Sequence, residues 1–486
     1  MQYLRIIYAL LFSFCVAETI LAKEHGKSQI FQEQCLADLE FIQGALIDNS
    51  AYEASKADAR YSKWSREGYI QTKELISAMK NEDDCHFVLN YYVNGFHDNN
   101  IRLRSYVRLP EELYPGILSA LKGNKHEVIY KNPSIKYLSK VKVGDQISRI
   151  NDVQIDKYYK EYLLPFYAST NSKIDLTKAS LYALIVDGND FIPTPRTLSL
   201  INHKGEAYKL ELQYTKMNSE ANKRVNRVRN PENKKFRVDL FSGGVWIRIP
   251  SFYPTEEEEV YFRGMLASLQ ELGNKQEYII FDMRGNRGGS TGWERPILRN
   301  LCGDNFIKSL GNKHDYNSKW EKRIRVSKKN LAYFKQFYTN AQIKEFAGKL
   351  AKREDFYNIK WDIYSETDNL FTNNENAKIR AKIFVLTDNF CTGTCWLFVR
   401  EMLQIPGITH IGQTTAIQKP FTKPQTIRLP SERFDFFVPI QEHIFPATNH
   451  GKPFIPSIIF EGDINNDSRV ADWIIELIDK DRASRI

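Results

Sequence analysis

Apolar residues recur at helical spacing from Phe31 to Ile47, at Cys35, Leu36, Leu39, Ile42 and Leu46, and again from Tyr69 to Met79. That spacing lines one face of each helix and predicts a helical N-terminal region over residues 23–100. From about residue 101 the pattern changes. Val141-Lys-Val-Gly-Asp-Gln-Ile-Ser-Arg-Ile-Asn-Asp-Val-Gln-Ile155 alternates, with turn pairs at Gly144-Asp145 and Asn151-Asp152. It predicts strands joined by tight turns. From about residue 238 strands and helices alternate. Gly244 to Pro250 and Tyr278 to Asp282 are strands. Between them Thr255-Glu-Glu-Glu-Glu259 opens a helix whose apolar positions are Val260, Phe262, Met265, Leu266, Leu269 and Leu272. Acidic residues suit the positive end of that helix. Ala381 to Thr387 is a third strand, followed by a helix from Trp396 to Leu403 and a strand from Ile408 to Gly412. Such alternation implies a largely parallel sheet that binds ligands at the carboxyl ends of its strands.

Composition fits a globular chain of 486 residues, 42% hydrophobic and 13% aromatic, with a mean hydropathy of −0.46. That length allows roughly two to four domains. No internal run reaches about 18 apolar residues, so nothing past the N-terminus is expected to span a bilayer. The first residues differ: Met1 to Arg5 is short and positive, Ile6 to Val16 is apolar, and Ala17 and Ala22 offer cleavage points. Residues 1–22 read as a secretory signal peptide, with an uncleaved anchor as the alternative. A periplasmic or secreted protein is the expectation. The formal net charge is +9. Its one basic cluster, Lys223 to Arg237, reads as a solvated linker; no reader motif accompanies it, which argues against a nucleic-acid partner.

Export changes how the cysteines are read. Without Cys15 there remain Cys35, Cys85, Cys302, Cys391 and Cys395, an odd number for an oxidising compartment. Cys391 and Cys395 can pair if their turn brings the Cα atoms within about 4.4–6.8 Å. Cys35 with Cys85 would then staple the N-terminal region and leave Cys302 as the odd thiol. No second Cys/His pair at a suitable spacing supports a metal site. Asp463 to Asp467 begins like a calcium loop, but Ser468 and Ile474 replace its glycine and closing glutamate. Neither a metal nor a cofactor is expected. His86 and His97 lie in or near the helical region and read as structural, and no partner for His443 or His450 is identifiable from the sequence.

Two segments carry chemistry. Asp282-Met-Arg-Gly-Asn-Arg-Gly-Gly-Ser290 follows a buried strand. Its glycines allow a sharp turn whose N–H groups can hold an oxyanion, although an ordinary tight turn reads the same way. It lacks the spacing of a dinucleotide fingerprint. The second segment, Val385 to Cys395, is again strand, small-residue turn and helix. That geometry favours developing negative charge at the helix N-terminus. A nucleophile is expected there, and the chain offers Thr392, Thr394 and two cysteines.

Together the two segments resemble the tail-specific (C-terminal-processing) serine peptidases, particularly the secreted branch with a cysteine-bracketed C-x-S-x-C turn. The D-x-R-x-N-x-G-G turn of that family is matched by Asp282, Arg284, Asn286, Gly288 and Gly289. Its preceding strand and helix match Val245 to Leu272, and Pro456 to Ile464 resembles its closing pattern. Val141 to Ile155 is similar to its PDZ-like module, which takes a peptide as an added strand; a generic hairpin is the alternative. The resemblance covers most of the mature chain. It implies an α/β fold with a crossover-type (ClpP-like) peptidase core at 216–486, a PDZ-like peptide-binding module at 101–215 and the helical region before it. It also implies an extended peptide or a protein C-terminus as partner. A serine would attack with a lysine as base, its pKa lowered by burial. Oxyanion donors would be the N–H groups of Gly288 or Gly289 and of Thr394.

The chain departs from the family where the reaction happens. Aligned on the cysteine bracket, Gly393 occupies the position of the nucleophilic serine. The lysine motif corresponds to Gly412 to Lys419, with Lys419 one residue late. Three readings follow: a pseudoenzyme that binds peptides, a peptidase using Thr392 or Thr394 with Lys419 as base, or an unrelated hydrolase or structural role in the cell envelope.

Overall fold

The structure, a computed structural model, describes residues 29–55, 58–170, 173–229, 235–241, 243–303, 321–360, 379–417, 419–444 and 452–484. The signal segment lies outside the described residues. Among those residues no helix is long and apolar enough to cross a membrane. The chain divides into two compact units that do not follow chain order. Residues 323–358 and 421–442 belong with the N-terminal residues, and the remainder from Asn230 onward forms the second unit.

The first unit begins with the expected helices, spanning residues 29–49, Ala59–Ser77 and Asp84–Asn94. Cys35, Leu39, Ile42 and Leu46 are all buried, as the helical spacing requires. A disulfide joins Cys35 to Cys85, with the Cα atoms 5.7 Å apart. Arg102–Ser105 pairs with Phe434–Ile444, whose other partners include Phe421–Arg428. A second sheet is antiparallel, in the order Ile117–Lys122, Lys125–Lys131, Gln146–Ile150, Thr197–Ile201 and Ala207–Glu211. Val153–Gln154 folds back on Gln146–Ile150 through Asn151 and Asp152, both at positive φ (47° and 64°). That is the primed two-residue turn expected at this pair, and Asn and Asp tolerate it better than most residues.

The basic cluster is not a linker over its first part. Ser219–Arg229 is a helix that buries Ala221 and Val225 beside Tyr114 and Leu118. Arg229 donates two hydrogen bonds to Glu112, at 3.0 and 2.7 Å. The four-residue spacing of its two apolar positions is outweighed by charge in the sequence. It suffices once a partner surface is present.

In the second unit we number the elements of one sheet and its helices: β1 (Arg237–Phe241), β2 (Gly244–Arg248), α1 (Glu256–Lys275), β3 (Tyr278–Asp282), α2 (Thr291–Cys302), β4 (Lys382–Thr387), α3 (Thr394–Met402), β5 (Thr409–Gly412), β6 (Ile458–Ile459) and α4 (Asp467–Ala483). The strands lie in the order β1 to β6; β1–β2 is antiparallel and every later pair is parallel. Every residue of β3 is buried, as parallel strands covered on both faces require. Ile279 and Phe281 pack with α1, α2 and α3 on one face, while Tyr278 and Ile280 pack with α4 on the other. Thr255 and Glu258 form a reciprocal capping box that starts α1 where the acidic run was expected to.

The Cys35–Cys85 bridge closes a loop of 50 residues, so chain entropy assigns it about 4 kcal/mol. The pair Cys35→Ala and Cys85→Ala should lower the denaturant midpoint accordingly. An unchanged midpoint would show that the helices hold this region without it.

Candidate functional site

The site grows out of one buried carboxylate. Asp282 ends β3 with no exposure. It accepts hydrogen bonds from Arg248 Nε (2.8 Å), Arg284 Nε (2.8 Å), Arg284 Nη2 (2.6 Å) and Trp246 Nε1 (3.0 Å). Burial alone would raise its pKa, but the Arg284 and Arg248 guanidiniums override that and hold it at about 2. Asp467, at the start of α4, takes up the remaining charge through Arg248 Nη1 (2.9 Å) and Arg284 Nη2 (3.1 Å). Arg284 Nη1 also donates to the Ile464 carbonyl at 2.7 Å. Two arginines and two aspartates thus bind β2, β3 and α4 at the point where the chain turns into the glycine segment.

Asn286 and Asp388 shape that turn. Asn286 Nδ2 donates to the Ile249 carbonyl (2.9 Å), and its Oδ1 accepts from Gly288 N–H (2.8 Å). Asp388, just after β4, accepts from Gly285 N–H (2.8 Å) and Phe390 N–H (2.9 Å). One side chain therefore ties the glycine turn to the turn before α3. Burial pushes its pKa up to about 6 despite those two donors. Gly289 forms a parallel bridge with Phe252: Phe252 N–H donates to Gly288 O, and Ser290 N–H donates to Phe252 O, both at 2.9 Å. In such a bridge the N–H and C=O of Gly289 itself point away from Phe252. Its carbonyl accepts from Thr394 Oγ1 at 2.6 Å.

The second turn is bracketed as expected: Cys391 and Cys395 are joined, with Cα atoms 5.2 Å apart. Gly393 caps α3 at φ 59° and ψ −130°, a conformation that residues with side chains rarely adopt. The two turns touch. A β-carbon on Gly288 would stand 2.8 Å from Thr394 N and 3.0 Å from Thr392 O, so only glycine fits there. A β-carbon on Gly393 would meet Arg287 O at 3.4 Å and Gly288 Cα at 3.5 Å, which is ordinary contact. Space for a side chain at 393 is present; the side chain is not.

The structure therefore brings Gly288, Gly289, Thr392, Gly393 and Thr394 together. It alters one expectation: the Gly288 N–H is taken up by Asn286, whereas Gly289 is exposed and its N–H faces the side of Thr394. The Thr394 N–H opens α3, where first-turn N–H groups have no acceptor within the helix. The Thr394 hydroxyl is buried and committed to the Gly289 carbonyl. Lys419 lies half-buried on the irregular segment between β5 and Phe421. Among the described residues no group of His, Cys, Asp or Glu side chains could hold a metal ion. Sequence reasoning missed Arg248, Asp388 and Asp467. The only visible signal was an arginine and an aspartate beside otherwise apolar strands.

No protein-family model and no curated protein sequence matches this chain. Solved structures do. Mature CPAF is similar over 92% of this chain and 97% of its own, at 12% identity and a TM-score of 0.61. Its complex with lactacystin covers 92% and 98%, also at 12% identity, with a TM-score of 0.56. The photosystem II D1 C-terminal processing protease covers 88% and 92% at 11% identity, with a TM-score of 0.33 that carries no weight here. At this identity the CPAF likeness shows the fold. That fold mixes helices and sheets, with a helical N-terminal region and a largely parallel sheet in the second unit.

Gly393→Ser should fold and lose about 1–3 kcal/mol to backbone strain. Gly289→Ala should displace the turn or prevent folding, since its β-carbon would sit 2.3 Å from the Phe252 backbone. Denaturant unfolding distinguishes them; equal stability of the two variants would contradict this packing. A second expectation concerns Glu294 on α2. Burial, then the charge of Glu401 on α3, raises its pKa well above the ordinary 4.5. The folded state thus holds a proton the unfolded chain releases, so its contribution is full below pH 4.5 and is lost as pH rises through the folded value. Glu294→Gln should flatten that decline and stabilise the protein at pH 8. An unchanged pH profile would refute the assignment.

Proposed function

We propose that the protein is an exported member of the tail-specific serine peptidase family that binds extended peptides or protein C-termini, with peptide-bond hydrolysis impaired or lost. The observation that carries this reading is Gly393. It caps α3 within the cysteine bracket and against the glycine turn; in this reading that is the nucleophile's position, and glycine has no atom with which to attack. The oxyanion donors in this reading are the N–H groups of Gly289 and Thr394, not Gly288. They would still polarise a bound peptide carbonyl. Residues 101–215 would be the PDZ-like module that captures the peptide, and the α/β core would retain it. Two disulfides accord with a non-cytoplasmic location.

A peptidase built on a shifted threonine is disfavoured by Thr394, whose hydroxyl proton points at a carbonyl rather than a base. Thr392 with Lys419 as base remains the form that reading would take. A purely structural role in the envelope would need neither peptide binding nor cleavage.

The test is peptide hydrolysis and binding by the purified mature protein and by Gly393→Ser, followed by mass spectrometry of unstructured peptides. Wild type should retain peptides with their mass unchanged and show no turnover above background. Wild-type turnover abolished by Thr392→Ala or Thr394→Ala would overturn the proposal. Absence of both binding and cleavage would leave the structural role.

A further inference from the structure

The sheet read as a peptide-binding module ends on the strand Ile117–Lys122. A terminal strand offers its outward N–H and C=O groups to an added strand. Here that edge is already filled. The helix Lys173–Leu181 packs along it, and Leu121 N–H donates to Ser180 Oγ at 2.8 Å. Ser180 Oγ in turn donates to the Thr177 carbonyl at 2.7 Å, so its hydroxyl is fully engaged. The approach is close because the helix presents Ala179 and Ser180, both with no exposure. On the strand, Ile117, Leu118 and Ser119 are equally buried, and the Ser119 hydroxyl has no hydrogen-bond partner. An added strand lies about 4.8 Å from its neighbour and needs that space for its own backbone. A helix hydrogen-bonded directly to the edge leaves none.

We propose that the helix Lys173–Leu181 is an internal plug on the peptide-accepting edge of this module, and that a peptide gains the edge only when the helix moves off and the Ser180–Leu121 hydrogen bond breaks. The inference rests on the module reading given above. It adds a closed state that lowers apparent affinity by the fraction of molecules that are open. Ser180 and Ala179 are the residues that keep it closed: a larger or charged side chain at either position has no room against the strand.

The experiment uses the full mature chain carrying Ser119→Cys as a reporter, alone and combined with Ser180→Asp or with Ala179→Glu. Iodoacetamide labelling at position 119 is located by mass spectrometry. A synthetic randomised nonapeptide mixture with free C-terminal carboxylates measures peptide retention. The plug predicts slow labelling and little retention in the reporter alone, with both rising about tenfold or more in either opening variant. Equal retention by the reporter alone and the opened proteins overturns the plug and leaves the module reading intact. Faster labelling with no retention by any variant overturns the module reading, and the plug with it. Labelling that stays slow in both variants makes the helix a fixed part of the fold and overturns the plug.

Discussion

The candidate site depends on the burial of one charge. Asp282 is removed from water completely, and such a carboxylate survives ionised only if its surroundings replace the solvent it lost. Arg248 and Arg284 do so, and Asp467 balances the second arginine. Because the partners come from β2, from the turn itself and from α4, the network fixes the direction in which the chain leaves β3. Removing one member would strand the opposite charge in the interior, which typically costs about 3–5 kcal/mol. The D-x-R pair therefore has a structural role of its own, whether or not chemistry takes place next to it.

A second constraint acts where the two turns meet. Gly288 and Gly289 have no space for a β-carbon, and Asn286 and Asp388 fix the N–H groups of Gly288 and Gly285 respectively. Gly393 differs: a side chain would fit, but the backbone is held in a conformation that would strain any residue with a β-carbon. In an active enzyme such strain is tolerated because it aims a nucleophile. Here glycine occupies the same conformation without strain, and the Cys391–Cys395 bridge and helix packing keep it there. The scaffold and the reaction are thus separable, and the proposed function gives this chain the first without the second.

Much of this was legible in the sequence. The parallel strands announce themselves by continuous apolar runs, and the glycine turn by spacing that follows from the need for sharp backbone reversal. The N-terminal helices follow from their period. What was not legible has a common cause, which is distance along the chain. Arg102–Ser105 pairs with Phe434–Ile444 more than 300 residues away, and no local pattern encodes that. Asp388 and Arg248 look unremarkable until Gly285 and Asp282 are placed beside them. Over Lys223 to Arg229 the linker expectation fails because charge dominates the composition, while Ala221 and Val225 decide the conformation. The sequence left Gly288 and Gly289 as alternative donors; Asn286 takes the N–H of Gly288, a competition that spacing alone does not reveal.

The claim that this is a peptidase scaffold without a nucleophile is tested most directly by covalent labelling with a fluorophosphonate, which reacts only with an activated hydroxyl beside oxyanion donors. Intact-mass and peptide-mapping measurements should find wild type unmodified and Gly393→Ser modified once, at position 393. Stoichiometric labelling of the wild-type protein at Thr392 or Thr394 would contradict the account.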